Sequence, residues 1–195
     1  MWDERYSAEG FAYGSEPNDF LVEQAEHLQA PVLCLAEGEG RNAVFVASRG
    51  LLVLGVDQSP VGLAKAQKLA QSRGVTIQTE VADLTRYDLG KERYGSIVSI
   101  WAHLPPAERA QLHQRCVAAL RPGGTFVLEA YTPDQIPLGT GGPQVPALCM
   151  TRDLLAVELA GLELLIAREV RREVHEGPFH NGPSATVQIL AKKPA

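Results

Sequence analysis

Short apolar runs alternate along the chain with longer segments whose apolar residues recur at helical spacing. Continuous runs of this kind, rich in Val, Ile and Leu, are typical of strands that are buried on both faces of a parallel sheet. Strands that alternate with helices predict βαβ units with right-handed crossovers. The five runs are Val32–Ala36, Leu51–Val56, Thr76–Val81, Ser96–Ile100 and Thr125–Ala130.

Three segments carry the start or stop signals of helices. Ser59-Pro60 supplies an N-cap followed by proline at the first helical position, and Pro105-Pro106 opens a second helix. A third helix is predicted from about Thr151 to Ala160, because Asp153 lies in its first turn and Gly161 follows its end.

The last two strand-like runs break this alternation. Leu162–Val174 and Ala185–Lys192 are separated by only about ten residues, which is too few for a helical crossover. We therefore expect a hairpin-like link, with one antiparallel strand at the edge of the sheet. The whole pattern predicts an α/β fold with a doubly wound, mostly parallel sheet and helices on both faces.

Composition narrows the class of protein. The 195 residues predict a single domain, and the formal charge of −5 argues against nucleic-acid binding, which needs a basic surface. No apolar run has the length of a membrane span, and the polar start Met1–Arg5 lacks the apolar core of a secretory signal. Cys34, Cys116 and Cys149 lie far apart, so we expect a reduced, cytoplasmic protein without a disulfide or metal site. Oligomeric state is left open.

The first strand runs into a glycine-containing segment, Ala36–Asn42. Glycines between a strand and a helix let a ligand approach the backbone, and the helix N-terminus attracts anionic groups. Asp57 ends the second strand nineteen residues after Gly38, where an acid can accept hydrogen bonds from both hydroxyls of an adenosine ribose. Ser59 already caps the next helix, so a nucleoside cofactor is the better explanation of Asp57.

Two kinds of cofactor fit these residues. Gly38-x-Gly40-x-x-Ala43 satisfies the dinucleotide fingerprint, so an NAD-dependent oxidoreductase is one alternative. Asp83 follows the third strand, where it can reach an adenine amino group, and Arg121–Gly124 introduces the fifth strand. The chain then closes with a hairpin-like strand pair, whereas a dehydrogenase of this length would still need a second domain for its substrate. These three features favour another class.

The chain resembles the class I S-adenosylmethionine-dependent methyltransferases, and within them the small tellurite-resistance and thiopurine methyltransferase-like group. The resemblance covers nearly the whole chain and is carried by a series of motifs in order. These are Trp2-Asp3-Glu4-Arg5-Tyr6, Tyr13-Gly14, Leu35–Ala43, Val56-Asp57-Gln58-Ser59, Ala82-Asp83-Leu84, His103-Leu104-Pro105 and Leu120–Gly124. The family implies a Rossmann-like sheet of seven strands with the last strand antiparallel. Cys34 replaces the usual acid of the first motif, and Ala36 replaces its first glycine.

The resemblance implies S-adenosylmethionine as the cofactor, bound at the carboxyl ends of the first strands, and S-adenosylhomocysteine as the product. The cofactor-binding residues expected from it are Tyr13, Ala36, Glu37, Gly38, Arg41, Asn42, Asp57, Gln58, Ser59, Asp83, Leu84, Ile100 and Trp101. The methyl acceptor is expected to be a small molecule, with a soft nucleophile such as a thiol, selenium or tellurium species as one option. A catalytically silent module that binds S-adenosylmethionine is a further alternative.

Three residues are candidates for the catalytic end of the site. His103 follows the fourth strand, at the lip where the methyl group is expected. In tellurite-resistance relatives a histidine near the position of His175 is thought to face the substrate, and Arg172 would attract an anionic acceptor. If the nucleophile carries a proton, His103, His175 or His180 would accept it.

Two irregular segments and several other side chains complete the interpretation. Residues 1–30, which carry four aromatic side chains in the first thirteen positions, form a predicted N-terminal cap, and residues 132–150 a predicted substrate-side loop, within one domain over 1–195. Glu129 and Tyr131 end the fifth strand, within reach of a substrate. His27 and His113 are interpreted as ordinary helix-surface residues, and Cys34 as a small buried apolar residue.

Overall fold

A seven-stranded sheet forms the centre of the computed structural model, which describes residues 2–195; Met1, the first residue of the predicted cap, lies outside the described residues. The strand order is β3-β2-β1-β4-β5-β7-β6. β7 runs antiparallel to both of its neighbours, and the other paired strands are parallel. The strands are β1 (Val32–Leu35), β2 (Val53–Asp57), β3 (Gln78–Val81), β4 (Tyr94–Ile100), β5 (Leu120–Tyr131), β6 (Glu163–His175) and β7 (Asn181–Lys192).

Within residues 2–195, six α-helices surround this sheet. They are α1 (Trp2–Tyr6), α2 (Asp19–Glu23), α3 (Arg41–Ser48), α4 (Pro60–Ser72), α5 (Pro106–Ala119) and α6 (Arg152–Glu158), with short 3-10 turns at Ala25–His27, Pro133–Leu138 and Pro146–Leu148. Ser59 caps α4 as the sequence predicts, because its side chain accepts a hydrogen bond from a backbone N–H group of the first turn. Thr151, where the sequence predicts the third helix to begin, is the N-cap of α6 in the same way.

The side chains of each buried strand divide between two cores. In β1, Val32 and Cys34 point toward α2, α3 and α4, whereas Leu33 and Leu35 point toward α5 and α6. A strand buried on both faces has no polar side to alternate with, which explains its continuous apolar sequence. The predicted doubly wound α/β sheet with helices on both faces is therefore confirmed, and so is the burial of Cys34.

The position of the antiparallel strand differs from the prediction. β7 lies between β5 and β6, so the edge of the sheet is β6 and not the antiparallel strand. β7 is buried over most of its length, whereas β6 carries six charged side chains and is largely exposed. Charged residues on an edge strand hinder pairing with other chains, which is consistent with this order.

Two further expectations about burial were wrong. β3 forms the opposite edge of the sheet and is mostly exposed, so it is not buried on both faces. His113 is 1% exposed and is not a surface residue. Its Nδ1 lies 2.7 Å from a carboxylate oxygen of Glu158, which also pairs with the buried Arg109.

Candidate active site

The order of strands creates a crevice at one end of the sheet. β1 lies between β2 and β4, so the chain winds outward in opposite directions from the β1–β4 pair. Ligands of open α/β sheets bind at the carboxyl ends of the strands at such a switch point. A cavity of about 900 Å³ opens there, lined by residues that follow β1, β2, β3 and β4.

Twelve of the thirteen residues expected at a cofactor line this cavity. They are Tyr13, Ala36, Glu37, Gly38, Arg41, Asn42, Asp57, Gln58, Asp83, Leu84, Ile100 and Trp101. The exception is Ser59, whose hydroxyl accepts from Gly62 N at the start of α4 and donates to the carboxylate of Asp3. Ser59 therefore lies outside the cavity lining, where it caps α4 and contacts the N-terminal segment.

The loop after β1 turns sharply before α3. Gly40 has a φ of +94°, and a Cβ at this position would lie 2.5 Å from the Cβ of Ala66 in α4. Only glycine satisfies both the left-handed backbone and the close approach of the two helices. Ala36 has a φ of +49°, a conformation that costs a residue with a side chain about 1–2 kcal/mol. This cost explains why glycine is usual at that position.

Asp57 connects the ends of the first two strands. Its carboxylate accepts hydrogen bonds from the backbone N–H groups of Gly38 at 2.9 Å and Ser59 at 2.8 Å. Burial raises the pKa of Asp57, and these hydrogen bonds oppose the increase. A carboxylate has about four lone-pair sites, so this side chain retains the capacity to accept further hydrogen bonds from a ligand.

The neighbouring acids differ in their environments. Asp83 is exposed at the mouth of the cavity, and a hydrogen bond from Thr85 N lowers its pKa. Glu37 is buried and accepts from Ala43 N in the first turn of α3, and burial raises its pKa to about 7. Its carboxyl group therefore caps α3 at the base of the loop. Burial raises the pKa of the adjacent Cys34 thiol well above its usual value, so that side chain is a neutral apolar group.

Aromatic rings line the end of the cavity beyond β4. Trp101, which has a φ of +57°, stacks on Tyr131 with ring centroids 4.2 Å apart. His180 packs between Tyr13, at 4.6 Å, and the rings of Trp101 and Tyr131, both at 5.2 Å. Burial lowers the pKa of His180 to about 3, and within residues 2–195 its Nδ1 has no hydrogen-bond partner. The imidazole is therefore neutral at physiological pH.

The three catalytic candidates are found in different places. His103 lines the cavity, but its Nδ1 contacts the carbonyl of Leu148 at 2.9 Å and its Nε2 accepts from Tyr131 N at 3.3 Å. Burial lowers the pKa of His103 to about 4. His175 is exposed outside the cavity, with its Nδ1 2.9 Å from Oδ1 of Asn181. The structure brings His180 to the cavity in place of His175.

Arg172 also lies away from the cavity. Its guanidinium donates to both carboxylate oxygens of Glu129 at 2.7 and 2.8 Å, and pairs with Asp19 at 3.1 Å. Glu129 is fully buried in this pair and does not line the cavity, and neither does Tyr131. The charge of Arg172 is thus neutralised within the fold.

Both irregular segments contribute to the walls. Trp2, Tyr6 and Tyr13 of the N-terminal segment line the cavity on one side. Residues 139–144 and Leu148 line it from the segment predicted to lie on the substrate side. The predicted N-terminal cap and the predicted substrate-side loop thus both contribute residues to the cavity lining.

Three polar side chains that hold the N-terminal segment were not identified from the sequence. Nζ of Lys65 donates to the carbonyls of Tyr6, Ala8 and Gly10 and to the carboxylate of Glu39. The carboxylate of Glu39 also accepts from Ala12 N at 2.7 Å. Glu176, in the β6–β7 turn, is the third. Apart from a 3.5 Å contact between Glu176 and Arg172, which are four residues apart, their partners lie between 26 and 158 residues away. Local spacing therefore carries no signal of the contacts that hold the N-terminal segment.

Within residues 2–195, no cluster of three or more His, Cys, Asp or Glu side chains has an arrangement that would hold a metal ion. Among the helices of this part of the chain, none is both long enough and apolar enough to cross a membrane.

The sequence of the chain is similar to those of several known proteins. A family model described as a methyltransferase domain matches residues 32–124. A 2-heptyl-1-hydroxyquinolin-4(1H)-one methyltransferase of Mycobacteroides abscessus is 31% identical over 126 residues, which cover 63% of this chain and 55% of the relative. An uncharacterized protein of Mycobacterium tuberculosis is 25% identical over 101 residues, with 52% and 37% covered. The chain thus spans about half the length, or less, of these curated relatives.

Solved structures share the fold at lower identity. A chain from work on the conversion of a disulfide bond into a thioacetal group during echinomycin biosynthesis has a TM-score of 0.79 at 20% identity, covering 98% of this chain and 88% of its own. A S-adenosylmethionine-dependent methyltransferase of Methanosarcina mazei has a TM-score of 0.72 at 18% identity, with 91% and 99% covered. TehB of Haemophilus influenzae has a TM-score of 0.70 at 18% identity, with 98% and 65% covered. Residues 32–124 thus match a methyltransferase domain, and the fold of the chain is like that of a S-adenosylmethionine-dependent methyltransferase of known structure.

Proposed function

We propose that the chain transfers the methyl group of S-adenosylmethionine to a small molecule and releases S-adenosylhomocysteine. The observation that carries this proposal is the convergence of the Ala36–Gly40 loop, Asp57 and Asp83 on one cavity. Its volume of about 900 Å³ lies within the range of roughly 300–1,000 Å³ typical of small-molecule sites. Asp57 would hold the ribose, and Asp83 with Leu84 would flank the adenine.

S-adenosylmethionine supplies an electrophilic methyl group on a sulfonium that is already a good leaving group. The chain's own residues then have to align the acceptor, exclude water and stabilise its charge. Trp2, Tyr6 and Tyr13 of the N-terminal segment and residues 139–144 enclose the cavity from both sides and would exclude water.

The aromatic lining at one end of the cavity is suited to a small, planar methyl acceptor. Tyr13, Trp101, Phe179 and His180 line this end, and rings of this kind pack well against a planar ligand. The relative from Mycobacteroides abscessus, named as a methyltransferase of a hydroxyquinolone, acts on a small heterocycle and supports the same class of acceptor.

The charges at the aromatic end of the cavity favour a methyl acceptor that is already ionised when it binds. The pKa values of His103 and His180, about 4 and 3, make both poor proton acceptors near pH 7. Arg5 donates to the Tyr13 hydroxyl and lies over the Phe179 ring at 4.7 Å, and it forms no salt bridge within residues 2–195. An anionic acceptor such as a thiolate, or the anion of an acidic hydroxyl group, would have this guanidinium as its counter-ion.

The experiment that tests the proposal has two stages. A thermal-shift panel compares S-adenosylhomocysteine, S-adenosylmethionine, NADH and NADPH, since a ligand that binds the folded state raises the melting temperature. Mass spectrometry then follows methylation of a panel of aromatic thiols and hydroxylated heterocycles, with the Asp57→Ala variant as the control.

Each alternative makes a different prediction. We expect S-adenosylhomocysteine and S-adenosylmethionine to raise the melting temperature, and NADH and NADPH to leave it unchanged. We also expect a methylated product, which the Asp57→Ala variant forms more slowly than the unaltered chain. A shift with NADH alone would support an oxidoreductase. Binding of S-adenosylhomocysteine without methylation of any acceptor would support a silent binding module.

A further inference from the structure

A buried carboxylate lies where three separate elements meet beside the cavity. Glu176, in the β6–β7 turn, is 5% exposed. Its Oε2 accepts hydrogen bonds from Nη2 of Arg41 in α3 and from Nε1 of Trp101 after β4, both at 2.5 Å. Its Oε1 accepts from Nδ2 of Asn18, the N-cap of α2, at 2.8 Å. One side chain thus connects the β6–β7 turn to the N-terminal segment, α3 and the end of β4.

The Trp101 indole depends on this carboxylate for its polar contact. The ring lines the cavity and stacks on Tyr131, while the backbone at Trp101 has a positive φ that bulky residues rarely adopt. An indole N–H is a donor without acceptor capacity. The carboxylate of Glu176 accepts its hydrogen bond, so ring stacking and one hydrogen bond together determine the orientation of the indole.

The turn that carries Glu176 is packed directly against the N-terminal segment. A Cβ at Gly177, whose φ is +74°, would lie 2.5 Å from the backbone nitrogen of Gly14. This contact leaves no room for a side chain at Gly177, because the backbone of the turn packs directly against the backbone of the N-terminal segment. The positive charge of Arg41 and its hydrogen bond outweigh burial and lower the pKa of Glu176, which keeps the acceptor ionised.

We propose that Glu176 is a positioning residue that holds the Trp101 indole as one wall of the acceptor end of the cavity and couples that wall to the N-terminal segment. The proposal rests on the proposed function in one respect, namely that the methyl acceptor binds at the Trp101 end. Glu176 itself lies behind the wall and does not line the cavity.

Fluorescence of Trp101 tests the proposal without an identified acceptor. The chain has two tryptophans, so a Trp2→Phe background leaves Trp101 as the source of the signal. Acrylamide quenching and the emission maximum are measured in this background and after adding Glu176→Ala, Glu176→Gln or Glu173→Ala. Glu173 is an exposed carboxylate near the end of β6, three residues before Glu176, and provides the matched control. Circular dichroism confirms that each variant is folded.

We expect the quenching constant to rise at least about 2-fold in Glu176→Ala, because the indole loses a hydrogen bond to a charged group. Glu176→Gln retains one acceptor oxygen and should give a smaller increase, and Glu173→Ala should match the background. If Glu176→Ala does not fold, Glu176→Gln decides the outcome. Quenching and emission unchanged in the folded Glu176 variants would overturn the proposal.

A thermal shift with S-adenosylhomocysteine, measured on the unaltered chain, separates the two proposals. Absence of this shift, together with increased quenching in the Glu176 variants, would count against the proposed function while leaving the Glu176–Trp101 coupling supported. A normal shift, together with unchanged quenching in the Glu176 variants, would support the proposed function and overturn the Glu176–Trp101 coupling.

Discussion

At the scale of single residues, Asp57 is central to the proposed cofactor site. We predict that Asp57→Ala weakens S-adenosylhomocysteine binding by about 10-fold or more, since hydrogen bonds to a charged group contribute about 1.5–3 kcal/mol. Titration calorimetry measures the change, and Asp134→Ala, at an exposed carboxylate, is the control. If the Asp57→Ala variant and the unaltered chain bind S-adenosylhomocysteine with equal affinity, Asp57 does not contact the cofactor.

The buried carboxyl group of Glu37 is predicted to make the stability of the fold depend on pH. Burial raises its pKa in the folded state to about 7, from an ordinary value of 4.5. Between these values the folded state retains a proton that the unfolded state releases. The contribution of Glu37 to stability is therefore fully present below pH 4.5 and is lost as the pH rises through 7.

Glu37→Gln cannot ionise, and its amide oxygen can still accept from Ala43 N. We predict that the difference in unfolding free energy between the variant and the unaltered chain changes by about 3 kcal/mol from pH 4 to pH 8, in favour of the variant at high pH. Denaturant unfolding at several pH values measures this difference. Parallel stability curves for the two proteins would contradict the assignment.

The histidines show where residue-level prediction from sequence ends. The position of His103 beside the cavity follows from its place after a central strand, which the apolar runs identify. His175 and His180 lie on either side of one turn, and their environments depend on the path of that turn. His180 is drawn inward by packing against Tyr13, Trp101 and Tyr131, and these are contacts between distant parts of the chain.

At the scale of elements, Lys65 of α4 is predicted to hold the N-terminal segment in place. Lys65→Met removes the ammonium that binds three backbone carbonyls and Glu39. We expect the free energy of opening this segment to fall by about 1–3 kcal/mol. Limited proteolysis should then cut within the first twelve residues about 5-fold faster or more.

Lys68→Met is the matched control for this experiment, because Lys68 lies on the same helix but is exposed. Equal cleavage rates in the Lys65→Met and Lys68→Met variants would show that the segment is held by other contacts.

The arrangement of the last two strands was only partly predictable from the sequence. The short link between them correctly indicates a hairpin, because a parallel connection needs more residues. Either strand of such a hairpin can pair with β5, and the length of the link does not distinguish them. The distribution of charge does: six charged side chains on β6 favour the edge, and the apolar sequence of β7 favours the interior.

At the scale of the whole molecule, the site is assembled from loops that follow four neighbouring strands. The half of the cavity that we propose for the cofactor was predictable, because Gly38, Asp57 and Asp83 each follow a recognisable strand, and parallel strands bring their carboxyl ends to one edge of the sheet. The half that we propose for the methyl acceptor was not, because Trp101, His180 and the N-terminal aromatic residues meet only through tertiary packing. The chemical identity of the acceptor depends on this second half.

A crystal structure of the chain with S-adenosylhomocysteine tests the central claim most directly. We predict ribose hydroxyls within about 3.2 Å of the Asp57 carboxylate, an adenine beside Asp83 and Leu84, and a sulfur atom directed toward Trp101 and His180. A ligand bound elsewhere on the chain, or an adenine more than about 5 Å from Asp83 with no ribose contact to Asp57, would contradict the account.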